Sequence, residues 1–223
     1  MTICKGFGTM TAPCCGARYP FPLYDSMNFS ADAHWTDGWN ERSLMPNEDG
    51  IRRCKCGQFL MLAQMDYDES RDGNDLPDMD KVTLQWLAEC IAKATSVHME
   101  IAARVSYWKH LNHDYRQRFK LYKQYVLPEL SFEPSSVQRD NLERLVELFS
   151  QNDANYSRTF RLLERAEIHR ELGQFDLALA MLDRIHPEDR DEVVDLMRRL
   201  CVEKQIAPWR YKWGSGSPAK LVC

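Results

Sequence analysis

From about residue 79 onward, apolar residues recur at three- and four-residue steps, the spacing that lines up one face of a helix. Val82, Trp86, Leu87, Cys90, Ile91 and Ala94 form a first set, and Ile101, Val105, Trp108 and Leu111 a second. Pro128 in "VLPEL" interrupts the pattern. It restarts in "SSVQRDNLERLVELFSQN", where Ser135 or Ser136 is placed to cap a helix and Leu142, Leu145, Val146, Leu148 and Phe149 make an apolar stripe. Two more helices are predicted by "RTFRLLERAEIHREL" and "DLALAMLDRI". Gly173 stops the first, because glycine takes the left-handed conformation cheaply, and Pro187 marks the end of the second. A last helix, "DEVVDLMRRLCVEKQI", opens on acids and carries Arg198 and Arg199 later, an order that suits the helix dipole.

Residues 1–65 have another texture. They are rich in Gly, Pro, Cys and aromatics, with little helical periodicity. "RCKCGQFLMLAQM" carries a strand-like apolar run after its glycine, and Asp37-Gly38 in "WTDGWN" is a turn signal suited to a hairpin. Residues 66–80, "DYDESRDGNDLPDMD", form an acidic stretch expected to be a solvated linker. Asp68, Ser70, Asp72 and Gly73 partly match a calcium loop, but Met79 stands where a bidentate Glu is required. The expected organisation is therefore an α+β chain. A small β module spans 1–65, the linker 66–80, an all-α domain 81–213 and a flexible tail 214–223.

Composition narrows the classes. The chain has 223 residues, 44% of them hydrophobic, which supports a packed core, and six tryptophans and nine tyrosines argue against disorder. The net charge is −4, without the basic excess of a nucleic-acid binder. Residues 1–80 hold 7 Lys and Arg against 13 Asp and Glu, so the region around the cysteines is the acidic one. No apolar run approaches the ~20 residues that span a bilayer. The first residues lack the charged and apolar regions of a signal peptide, so no membrane association and a reducing, cytoplasmic setting are expected. There, eight cysteines read as metal ligands or buried thiols rather than disulfides.

The sharpest chemistry lies in "APCCGARYP" and "RRCKCGQFL", two close cysteine pairs each followed by glycine. Structural zinc takes four Cys or His ligands in a tetrahedron. A glycine directly after a cysteine lets the backbone turn beneath the ion and aim amide N–H groups at the thiolates. Cys14, Cys15, Cys54 and Cys56 are the candidate ligands, with Cys4 in reserve and His34 behind it. Buried thiols are the plain alternative. Zinc is the expected ion and iron the runner-up, since sulfur donors alone do not choose. A catalytic zinc would need an open position and a base such as Asp37 or Glu41, and no HExxH pattern supports it. A non-enzymatic protein is the expectation.

These two turns resemble the knuckles of a zinc ribbon, although ribbon knuckles usually hold two residues between their cysteines and these hold none and one. "AEIHRELGQFDLALAMLDRI" is similar to one tetratricopeptide-type hairpin, carried by Ala166, Leu172, Gly173, Phe175, Ala178 and Leu182. No second copy follows. Together the two parts resemble an arrangement met in bacterial proteins, a ribbon joined to a helical domain. The resemblance implies a protein or peptide partner and an adaptor role. A nucleic-acid-associated factor is the alternative, with Arg52, Arg53 and Lys55 for phosphates and Tyr19, Phe21 and Tyr24 for base stacking. The same aromatics read equally as core.

Other features have two readings. Asn28, His34, Trp35 and Asp37 could line a pocket, but a turn with Trp35 packed on the metal module is the expectation. His110 and His113 fall on one face of a continuous helix. "PWRYKW", with Trp209, Arg210 and Lys212, reads as a partner-contact surface or as a lid on the helices.

Overall fold

The computed structural model describes residues 3–26, 33–41, 50–70, 72–125, 130–151, 158–189 and 191–212. Small antiparallel sheets come first and helices follow, the α+β order expected. Two compact units emerge. One draws on residues 1–31 and 42–106, the other on 32–41 and 107–223.

In the first unit, β1 (Ile3–Thr11) and β2 (Arg18–Ser26) form a hairpin, with Met10 opposite Tyr19 and Thr11 opposite Arg18. A second hairpin joins β5 (Ile51–Arg53) to β6 (Phe59–Met61). The intervening β3 (Ala33–Trp35) and β4 (Asn40–Glu41) belong to the second unit. Within the acidic stretch, β7 (Asp66–Asp68) adds to β1, and β8 (Asp80–Lys81) adds to β5. Asp68 and Asp72 accept from the backbone N–H groups of Ser70 and Asn74 at 3.0 and 2.9 Å, closing local turns. Met10, Ala12, Ala17, Tyr19, Cys54, Leu60, Met65 and Met79 make the small core beneath these sheets. The helix α1 (Leu84–Ala92), capped by Thr83, buries Leu87 and Cys90 as its apolar spacing requires. The first part of α2 (Val97–Leu111) also belongs here.

The second unit is mainly helical: the end of α2, α3 (His113–Tyr125), α4 (Ser136–Gln151), α5 (Arg158–Glu171), α6 (Phe175–Asp183) and α7 (Glu192–Val202). Ser135 caps α4 in a reciprocal arrangement. Its hydroxyl accepts from the Gln138 N–H and its own N–H donates to the Gln138 side chain. Gly173, at φ 74°, ends α5. The Gln174 N–H reaches the His169 carbonyl and the Gly173 N–H the Arg170 carbonyl, the paired bonds of a Schellman turn. Ala166 and Ala178 are fully buried where α5 meets α6, and Asp191 caps α7 through Val193 and Val194. Leu162, Leu182, Ile185, Val194, Leu196, Met197 and Leu200 fill the core among these helices.

The hairpin of β3 and β4 is closed by Gly38, at φ 77°, as the Asp37-Gly38 signal predicts. Trp35 corrects the expectation that it packs on the cysteine module. It is buried against Tyr115 and Phe119 of α3, ring centroids 6.5 and 5.2 Å away, within the helical unit. The strand β9 (Arg210–Tyr211) completes that sheet beside β3. His110 and His113 do not share one helix either. Asn112 forms a turn between α2 and α3, so one histidine ends the first and the other opens the second.

Candidate metal centre

Each hairpin of the first unit has a cysteine pair at its tip. The first turn is closed between Ala12 and Ala17 (N···O 2.8 Å) and the second between Cys54 and Gln58 (2.8 Å), one residue shorter. Gly16 and Gly57 follow the last cysteine of each turn at φ 69° and 89°, the left-handed region where a side chain is strained.

The two tips meet. Cys14 Sγ lies 3.4 Å from Cys56 Sγ, and Cys15 Sγ lies 3.5 Å from Cys54 Sγ. All four sulfurs are within 4.8 Å of one another. Sulfurs held about 2.3 Å from a tetrahedral ion are roughly 3.8 Å apart, so the cluster has the dimensions of a closed four-thiolate site. Cys54 is buried, Cys14 is partly buried, and Cys15 and Cys56 are exposed at the rim. The donor set, soft and all sulfur, suits zinc or iron.

Hydrogen bonds distribute charge unevenly. Burial opposes a thiolate at Cys54, but the Cys56 N–H and the Tyr19 hydroxyl both donate to its sulfur and bring its pKa down to about 6. The Tyr19 oxygen is 3.2 Å from that sulfur and accepts from the Lys55 N–H at 2.9 Å. Burial and the bond to Cys54 push the Tyr19 hydroxyl up to about 12. Burial and the neighbouring thiols raise Cys14. For Cys15 the Ala17 N–H favours the thiolate, and the Cys54 thiol among others outweighs it, so its pKa also rises. Negative charge therefore collects on Cys54, and a divalent cation among the sulfurs would let all four ionise.

The reserve ligands lie elsewhere. Cys4 is exposed on β1, its thiol 3.3 Å from the Gly6 carbonyl, and is not among the four. His34 sits in the second unit, with Nδ1 2.6 Å from Asn40 Oδ1 and its ring stacked on Tyr211. Asn28 and the tail 214–223 fall outside the described residues.

Neither proposed base is available. Asp37 is fully buried in the helical unit. One of its oxygens accepts from the Trp39 N–H at 3.0 Å, the other from Asn112 at 3.1 Å and from the Arg116 guanidinium. Glu41 accepts from Trp35 Nε1 and from Arg210, each at 2.9 Å, with Lys120 at 3.3 Å. Burial opposes its charge, but Arg210 and Trp35 outweigh that and lower its pKa. Of the partner-surface candidates, Arg210 is thus engaged with Glu41, Trp209 packs on the helical core and near Phe119, and Lys212 is exposed. Among the three cations at the second turn, Arg52 is buried and bonds its neighbour's carbonyl, while Arg53 stacks on Trp86, 4.7 Å from the ring centroid.

Sequence reasoning missed a buried polar network in the helical unit. Trp108 Nε1 donates to Glu171 Oε2 at 3.0 Å, and Asn112 bridges Glu171, Asp37 and Gln138. Glu167 accepts from Thr36 at 2.6 Å and from Arg170, which also reaches the Gln205 carbonyl. Burial, with Glu167 and Asp37 nearby, raises the Glu171 pKa well above the usual carboxylate range. The available signal is the four-residue step Trp108–Asn112–Arg116, which sets polar groups in line with an apolar face. Compared with protein-family models, curated proteins and solved structures, the chain matches none.

Proposed function

We propose that the protein is a non-enzymatic interaction or adaptor protein of the cytoplasm, with a structural zinc in a ribbon-like head and a helical domain that contacts a protein or peptide partner. The observation that carries the metal reading is the convergence of four sulfurs from two separate hairpin tips, all within 4.8 Å of one another. Cys14, Cys15, Cys54 and Cys56 would hold the ion and supply both its charge balance and the clamp between hairpins. Zinc is preferred to iron because a closed structural role needs no redox change. The partner reading rests on the hairpin of α5 and α6, whose buried alanines and glycine stop follow the tetratricopeptide pattern. Exposed apolar side chains at Phe160, Leu177 and Val202 leave contact surface on this unit.

The nucleic-acid alternative is weakened by the burial of Arg52 and the stacking of Arg53, which leave Lys55 as the exposed cation of that trio. Against hydrolysis, the two carboxylates considered as bases, Asp37 and Glu41, are both held in other bonds. Metal analysis of the purified chain tests the proposal. One equivalent of zinc is expected in the wild type and almost none in Cys54→Ser. Equal metal in both, or none in either, contradicts it.

A further inference from the structure

Tyr19 reaches from one metal-bearing hairpin to the other. It stands on β2, just beyond the first turn, and is 3% exposed. Its hydroxyl lies 3.2 Å from Cys54 Sγ and accepts the Lys55 N–H at 2.9 Å, both residues of the second turn. That backbone donor occupies one lone pair of the oxygen, and the hydroxyl proton is free to donate to the sulfur. Among the described residues, the other polar contacts at the cluster arise within a turn or between sulfurs. Tyr19 therefore links the two turns without using the metal.

We infer that Tyr19 is a positioning residue of the metal centre, an outer-sphere partner whose hydroxyl fixes the Cys54 sulfur and the second turn in the ion-binding arrangement. The inference rests on the zinc reading and goes beyond it by assigning the site a residue that is not a ligand. Partners of this kind orient a ligand before the ion arrives, and their loss typically costs about 10- to 100-fold in metal affinity. They also draw electron density from the sulfur they touch. The four thiolates are then unequal: Cys54 is buried and doubly bonded, whereas Cys15 and Cys56 face solvent.

Tyr19→Phe removes a single oxygen and keeps the ring in the core. Zinc affinity of the full chain is measured by competition with a chromophoric chelator, and the Co2+ form is examined by absorption spectroscopy. The variant is expected to bind zinc about 10-fold or more weakly. Its sulfur-to-cobalt charge-transfer band should move to lower energy, because the sulfur lone pairs lose a hydrogen bond. A loss of affinity with an unmoved band would mean that the hydroxyl does not act on the Cys54 sulfur, and would refute the inference. Unchanged affinity would refute it too. If the wild type takes up neither ion, the zinc reading itself fails and this inference with it. A measurement without substitution guards against a variant that does not fold. In the 113Cd-loaded wild type, the Tyr19 hydroxyl proton should be protected from exchange and scalar-coupled to the metal, and an exchanging, uncoupled proton overturns the assignment.

Discussion

Replacing Asp37 by alanine probes how the helical unit is held together. The Asp37 side chain is fully buried and pairs with the Arg116 guanidinium, itself only 2% exposed. Arg116 also reaches the Lys109 carbonyl, and burial outweighs its attraction to Asp37 and Glu171 enough to lower its pKa. Removing one partner of such a pair leaves an uncompensated buried charge, a loss of about 3–5 kcal/mol. A domain has roughly 5–15 kcal/mol to lose, so a drop in melting temperature on the order of 10 °C or more is expected. The assay is thermal and urea unfolding of the zinc-loaded chain, each followed by helical circular dichroism. Arg116→Met alone should be costly as well, since it strands Asp37. The double variant Asp37→Ala/Arg116→Met should be less destabilised than the two single losses added together, because neither charge is left alone. A single loss below about 1 kcal/mol, or strict additivity in the double variant, would refute the reasoning.

Further outcomes follow from the same geometry. Glu171 has a raised pKa, so the folded state binds more protons than the unfolded state above the ordinary carboxylate range, and its contribution to stability must fall as pH rises. Glu171→Gln removes that dependence; from pH 5 to 8 the variant should gain on the wild type, and parallel unfolding curves would count against the buried carboxylate. A fragment beginning at residue 107 lacks the 32–41 segment of its own unit and should fail to give a cooperative melt, whereas adding that segment back as a linked peptide should restore one. A cooperative, native-like melt of the fragment alone would refute the assignment. Gly173→Ala places a side chain at φ 74° and should cost about 1 kcal/mol in denaturant unfolding. A neutral result would mean that α5 ends by another device.

The candidate site was legible because its signal is local. Cysteine followed by glycine names both the donor and the turn, and two such turns in separate hairpins can share one ion. Which hairpin is longer was not legible, nor that Tyr19 bonds the opposite turn, because both depend on register between β1 and β2. The helices were largely readable from their apolar steps and caps, down to Ser135 and Gly173, but the break at Asn112 between α2 and α3 was not. The path of the chain was not. Asp37 finds Arg116 79 residues away, and nothing in "WTDGWN" announces that its hairpin belongs among helices. Asn112, Arg116, Glu167, Arg170 and Glu171 are polar or charged in sequence, yet each is buried and bonds a distant partner. The strands β7 and β8 were hidden for a related reason: their acidic residues carry no apolar alternation, and their pairing is set by β1 and β5.

The central claim is that four thiolates from two hairpin tips close around one ion. Zinc K-edge X-ray absorption of the zinc-loaded chain tests it most directly. Four sulfur scatterers at about 2.3 Å are expected; a first shell dominated by nitrogen or oxygen, or one holding two sulfurs or fewer, would contradict the account.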